Sequence, residues 1–123
     1  MEHYKLEHRH DVAVLKFVRE HVVDLKESDA LSAAVMGYIE MERPQKLIVD
    51  FQEVRRVPSE TINMLLQVRK RMQRYQGQLR LCSMTSEVRD VFKTMCLEGT
   101  IFKIAENLDG AIGTLGDVAA TAR

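Results

Sequence analysis

The sequence predicts an α/β fold: a mixed, mostly parallel sheet of four to five strands with about four helices. Short apolar runs rich in β-branched residues ("VAVLKFV", "KLIVDF", "QLRLC", "TIFKI") alternate with longer segments of helical periodicity. The resulting order is β, β, α, β, α, β, α, β, α, and strands joined through a helix run parallel in one sheet. At 123 residues, 46% hydrophobic and 29% charged, the chain suits one compact domain, 1–123, with a core of its own.

The elements follow in chain order. Asp11 to Val18 reads as a strand, with Tyr4 to His10 as its antiparallel partner, and His21 to Asp24 as a brief extension. Leu25 to Arg43 carries Leu31, Ala34, Val35 and Tyr38 at helical spacing, and Pro44 stops it. Lys46 to Phe51 is a short, wholly buried type of strand. A helix then opens near Ser59, with Ile62, Leu65, Leu66, Val68 and Met72 as its stripe. Arg69, Lys70, Arg71 and Arg74 suit the negative end of that helix, and Gly77 suits the C′ position. Gln78 to Met84 is the next strand. Ser86 is expected to cap a helix whose stripe is Val88, Val91, Phe92 and Met95. Thr100 to Ile104 is the last strand, and a glycine-bearing helix runs from Asn107 toward the C-terminus.

Lys and Arg number 18, as do Asp and Glu, so no global field favours nucleic acid or an anionic membrane. The polar start "MEHYKLEHRHD" does not read as a signal peptide, and no apolar run approaches the ~20 residues of a membrane span. Cys82 and Cys96 are not in a CxxC pair and read as buried or half-buried thiols. These features predict a cytoplasmic protein.

No catalytic motif is present: there is no GxSxG, HExxH or Walker loop. His8 and His10 would share a strand face, but no third metal ligand stands near them in sequence. The glycines at 110, 113 and 116 do not follow a first strand and make no dinucleotide fingerprint. The reading is therefore no enzyme, no cofactor and no metal. Between Arg55 and Arg80 the cations outnumber the acids, but with Tyr75 as the lone aromatic this reads as a solvated face before a nucleic-acid stripe.

The stretch "VPSETINMLL" has the form of a helix mouth. Unpaired N–H groups and a partial positive charge gather at such a point. Ser59 is the expected N-cap, Glu60 a first-turn acid, and Pro58 fixes the approach. Good capping is a sufficient reason for all three.

Several segments together resemble the STAS domain family, shared by anti-sigma factor antagonists and sulphate transporters. They are "LIVDF" followed by a loop and a helix start, then "GQLRLCSM", "EVRDVF" and "IFKIAENLDGAI". "HVVDLKESDALSAA" is also similar, with Asp24 in the usual acidic place. The resemblance implies a sheet with helical cover, binding of an anti-sigma factor that is an ATP-binding serine kinase, and phosphorylation at the helix mouth.

Counting from Asp50, Pro58 falls on the family's Asp, Ser59 on its first Ser, Glu60 on its phosphoacceptor Ser, and Thr61 on its Gly. A carboxylate thus stands where the acceptor is expected. Glu60 imitates the phosphorylated state in part, or the switch moves to Ser59 or Thr61, with Ser59 favoured. Alternatively both hydroxyls only cap.

The sequence therefore predicts an anti-sigma factor antagonist-like switch that regulates transcription indirectly. Its partner surface comprises Asp24, Asp50, Pro58, Ser59, Glu60 and Thr61. It is expected to bind neither nucleic acid nor membrane directly. The alternative is an unphosphorylated STAS scaffold, a homo-oligomer or subunit of a larger signalling assembly.

Overall fold

The computed structural model describes residues 4–9, 11–17, 25–99 and 101–121. In order these form β1 (Tyr4–Arg9), β2 (Val12–Phe17), α1 (Leu25–Glu42), β3 (Lys46–Asp50) and α2 (Ser59–Gln73). Then come β4 (Gln78–Cys82), α3 (Ser86–Thr94), β5 (Lys103–Ala105) and α4 (Leu108–Thr121). The strands form one sheet in the order β1-β2-β3-β4-β5. β1 is antiparallel to β2 and every later pair is parallel. This is the α/β architecture that the alternation predicts.

The two-residue period of the strands sorts their side chains between two cores. Leu15 is level with Val49, and Val49 with Leu81. These residues, with Ala13, Phe17 and Leu47, face α1, α2 and α3 in the larger core. Val12, Val14, Ile48 and Cys82 point the other way, where Ala111 and Leu115 of α4 cover them. Phe17, Phe51, Phe92 and Phe102 run edge-to-face through the larger core, with ring centroids 5.3, 6.2 and 5.8 Å apart in sequence.

The helix stripes are narrower than the sequence suggests. In α1 Leu31, Val35 and Ile39 are buried, whereas Ala34 is exposed and Tyr38 half-buried. In α2 Thr61 and Met64 join Ile62, Leu65, Val68 and Met72 inside, and Leu66 is half-buried. In α3 Val88 and Phe92 are buried, but Val91 is 38% and Met95 49% exposed. A helix of nine residues lying on the rim of the core buries only its i, i+4 pair.

Helix ends also differ from expectation. The left-handed residue after α2 is Gln76, at φ 63°, rather than Gly77. The N–H of Gly77 reaches Met72 O at 2.8 Å and that of Gln76 reaches Gln73 O at 3.2 Å, a Schellman closure. A Cβ at Gly77 would stand 2.8 Å from Tyr75 Cε1 and 2.9 Å from Met72 Cε, so those side chains would have to shift to admit one. α3 is capped by Thr85, not Ser86, with the Thr85 hydroxyl accepting from Val88 N at 3.2 Å.

β5 starts at Lys103 instead of Thr100. Gly99, at φ 84°, turns the chain, and Ile101 N and Phe102 N both bond back to Leu97 O. The expected extension at His21 to Asp24 lies outside the described residues. Of the two thiols, Cys82 is buried but Cys96, in a left-handed turn after α3, is exposed. No helix among the described residues is long and apolar enough to cross a membrane.

Candidate functional site at the mouth of α2

Because β3 and β4 are parallel, the loops leaving them emerge on the same edge of the sheet. Loop 51–58 leads into α2 and loop 83–85 into α3. Crevices at the carboxyl ends of parallel strands are the usual place for binding in open α/β sheets.

Loop 51–58 is held by its apolar residues. Phe51 and Val54 are buried, and Phe51 N continues the ladder by donating to Cys82 O at 2.9 Å. Val54 N closes a turn on Phe51 O at 2.9 Å. The Asp50 carboxylate, 5% exposed, accepts from Gln52 N at 2.9 Å and fixes where the loop begins. With those anchors inside, Gln52, Glu53, Arg55 and Arg56 are left exposed. Lys16 at the end of β2 pairs with Glu53 at 3.5 Å.

Pro58, at φ −75° and ψ 162°, is the N-cap of α2. The expected N-cap, Ser59, is the first helical residue instead. Thr61 N and Ile62 N both donate to Pro58 O, at 3.0 and 3.3 Å. Pro58 makes no side-chain cap hydrogen bond, so no N-cap hydroxyl covers the first N–H groups of the helix. Ser59 and Glu60 are exposed there. Thr61 is 2% exposed, and its Oγ1 is enclosed without a hydrogen-bond partner among the described residues.

The sequence-predicted set thus divides. Ser59 and Glu60 are presented to solvent beside the half-buried Pro58. Asp50 and Thr61 are inside, one shaping the loop and the other filling the α2 stripe, and neither is presented to a partner in this fold. Asp24 lies outside the described residues. No group of three or more metal-ligating side chains occurs among those described.

Sequence reading missed the neighbouring cleft. A cavity of about 590 Å³ lies between loop 51–58 and the start of α3, lined by Gln52, Glu53, Arg55, Thr85 and Glu87. These polar residues are scattered along the chain and meet only because β3 pairs with β4. Cys82, the last residue of β4, is buried on the α4 face of the sheet. Burial pushes its thiol up to about 11, the Ser83 hydroxyl at 3.6 Å pulls it down, and the Asp50 charge pushes it further up. That thiol is protonated near neutrality and is no nucleophile.

The α3 side of the site is braced by Arg89. Its Nε and Nη2 reach Glu98 Oε1 and Oε2 at 2.9 and 3.0 Å, and its Nη1 lies 3.4 Å from Glu106 Oε1. This fork ties α3 to the segments flanking β5.

Known structures share this architecture. An anti-sigma-factor antagonist (STAS) domain protein from Planctomyces limnophilus superposes with a TM-score of 0.80 at 20% identity, covering 93% of this chain and 98% of its own. A Moorella thermoacetica RsbS variant with a serine replaced by glutamate gives 0.79 at 14% identity, covering 97% and 99%. The anti-sigma factor antagonist SpoIIAA of Bacillus, in its unphosphorylated form, gives 0.76 at 18% identity, covering 93% and 96%. A search of curated protein sequences finds no match. The profile of the STAS domain covers residues 3–111, and the chain belongs to the STAS domain family.

Proposed function

We propose that this STAS domain is a protein-interaction switch of the anti-sigma factor antagonist type. It docks an ATP-binding, kinase-type anti-sigma factor through Ser59, Glu60 and the adjoining cleft. Docking releases a sigma factor by competition, so its effect on transcription is indirect. The observation that carries this reading is the uncapped, solvent-facing start of α2, with a hydroxyl and a carboxylate side by side on it.

Charge supplies the switch. A phosphate on Ser59 adds roughly 1.5 to 2 negative charges beside the Glu60 carboxylate and is stabilised by the open N–H groups. A partner surface matched to one negative charge then meets nearly three. Thr61 takes no part, because its hydroxyl is enclosed.

A second reading is favoured by Glu60 itself, which places a permanent charge on the exposed helix start. On that reading the domain is an unphosphorylated scaffold subunit of a larger signalling assembly. One experiment separates the two. The purified chain and Glu60→Ser are each mixed with an ATP-binding anti-sigma factor of the same organism, with and without ATP. The switch reading expects a complex, and an added phosphate that weakens it. A stable self-assembly with no complex and no added mass supports the scaffold.

A further inference from the structure

The sheet ends differently at its two sides. β5 has three residues, follows the Gly99 turn and carries an exposed lysine, Lys103. Short strands and lysines are what keep one sheet edge from joining another. β1 is a longer edge. Its six residues pair with β2 in unbroken register, from Tyr4 opposite Phe17 to Arg9 opposite Val12, with no bulge and no proline. Its outward N–H and C=O groups meet no strand among the described residues.

The side chains of β1 sort by the two-residue period. Tyr4 and Leu6 are half-buried against the larger core. His8 shares their face, with its Nε2 3.5 Å from the Tyr38 hydroxyl of α1. Lys5, Glu7 and Arg9 project from the other face and are exposed. Charge therefore alternates in sign along that face.

A strand with this pattern is complementary to its own copy in one register. Directly opposed residues of antiparallel strands share a face. A two-fold axis that keeps like faces together therefore passes through a residue, not between two. An axis through Leu6 sets Leu6 against Leu6 of a second copy, Tyr4 against His8, and Lys5 against Glu7. Symmetry makes the last two contacts twice. An axis through Glu7 sets Glu7 against itself and Lys5 against Arg9, which are like charges in both cases and repel. An axis through Lys5 opposes two lysines and pairs only Tyr4 to Leu6.

We infer that the outer edge of β1 pairs antiparallel with the same edge of a second copy, centred on Leu6, so that one sheet runs through both molecules. The contact is isologous and consumes both long edges, so it closes at a dimer instead of extending into a fibre. Tyr4 to His8 is a short contact, below the roughly 800 Å² per partner of a stable complex, so the association is weak and rises with concentration. It rests on neither reading of the α2 mouth, since β1 stands two strands away from β3, which leads into that loop.

Sedimentation of the full chain over a concentration series reaching ~1 mM, the weak end of specific affinity, tests this. A monomer–dimer equilibrium is expected. Lys5→Glu and Glu7→Lys each set like charges opposite one another at both symmetry-related positions, and each should weaken dimerisation about tenfold or more. Both side chains are exposed, so the fold tolerates the changes. An equimolar mixture of the two variants should dimerise like the unsubstituted chain, because every opposed charge pair is again of opposite sign. A role for these charges within one molecule does not produce that rescue. Amide exchange at residues 4–8 of the unsubstituted chain should slow as concentration rises. The inference is overturned if the chain stays monomeric throughout, if either reversal leaves association unchanged, or if the mixture fails to recover. It is also overturned if the slowed amides lie at residues 52–62 or in β5 instead of β1.

Discussion

Ser59 and Thr61, two residues apart at the start of α2, face opposite ways: Ser59 is open to solvent and Thr61 is only 2% exposed. The helix fixes this outcome. Thr61 stands one turn before Met64 and Leu65 on the buried stripe, while Ser59 lies off it.

Phosphorylation is therefore expected at Ser59 alone. Fragmentation mass spectrometry after incubation with the kinase-type partner and ATP should place any phosphate there. Ser59→Ala should abolish it, and Thr61→Ala should leave it in place. Phosphate found on Thr61 would contradict the assigned orientation.

The enclosed Thr61 hydroxyl has a stability consequence. Its Oγ1 has no partner among the described residues, and a buried polar atom without a hydrogen bond is costly. Thr61→Val keeps the shape and removes that atom. It should raise stability by about 1 kcal/mol, read as an upward shift of the urea midpoint at unchanged slope. A loss of similar size would show that the hydroxyl is satisfied.

The two cysteines should differ sharply toward a thiol reagent at pH 8. Cys96 is exposed and should label at once. Cys82 is buried, with its thiol pushed up to about 11, and should label only after denaturation. Rapid labelling of both in the native protein would contradict the packing of α4 over the sheet.

The fork between Arg89 and Glu98 predicts an acid dependence. The hydrogen bond from Arg89 holds the Glu98 carboxyl below its usual 4.5 against burial, and the Arg89 and Lys93 charges add to it. A carboxylate lowered in the folded state contributes fully above its unfolded value and loses that contribution as pH falls through the folded one. Glu98→Gln should therefore cost about 1 kcal/mol or less at pH 7, since the pair is partly solvated. The difference from the unsubstituted protein should close below pH 4.5. A gap constant from pH 7 to pH 3 would assign the loss to packing instead of charge.

The fold was legible because strands with a two-residue period and helices with a 3.6-residue period leave different apolar patterns. "KLIVDF" could be read as a buried strand, and "QLRLC" as the next strand, without knowing what they pack against. Other features depended on tertiary context. Counting from Asp50 put Thr61 in the partner set beside Ser59, yet its position on the stripe decided its burial. Val91 and Met95 looked like core because they are apolar, but α3 touches the core with too narrow a face to cover them. The capping preference of serine put the start of α2 one residue late, since the extended backbone of Pro58 already supplies the accepting carbonyl. The cleft between loop 51–58 and α3 could not be read at all, because its walls are about thirty residues apart and meet through strand pairing.

The most direct test of the account is a hydrogen-exchange footprint of the unsubstituted chain bound to an ATP-binding anti-sigma factor. Protection should appear across residues 52–62 and 84–89 and be absent from residues 39–45. A complex that protects another surface, or one whose affinity is unchanged by Glu60→Lys, would contradict the central claim that the open start of α2 is where partners dock.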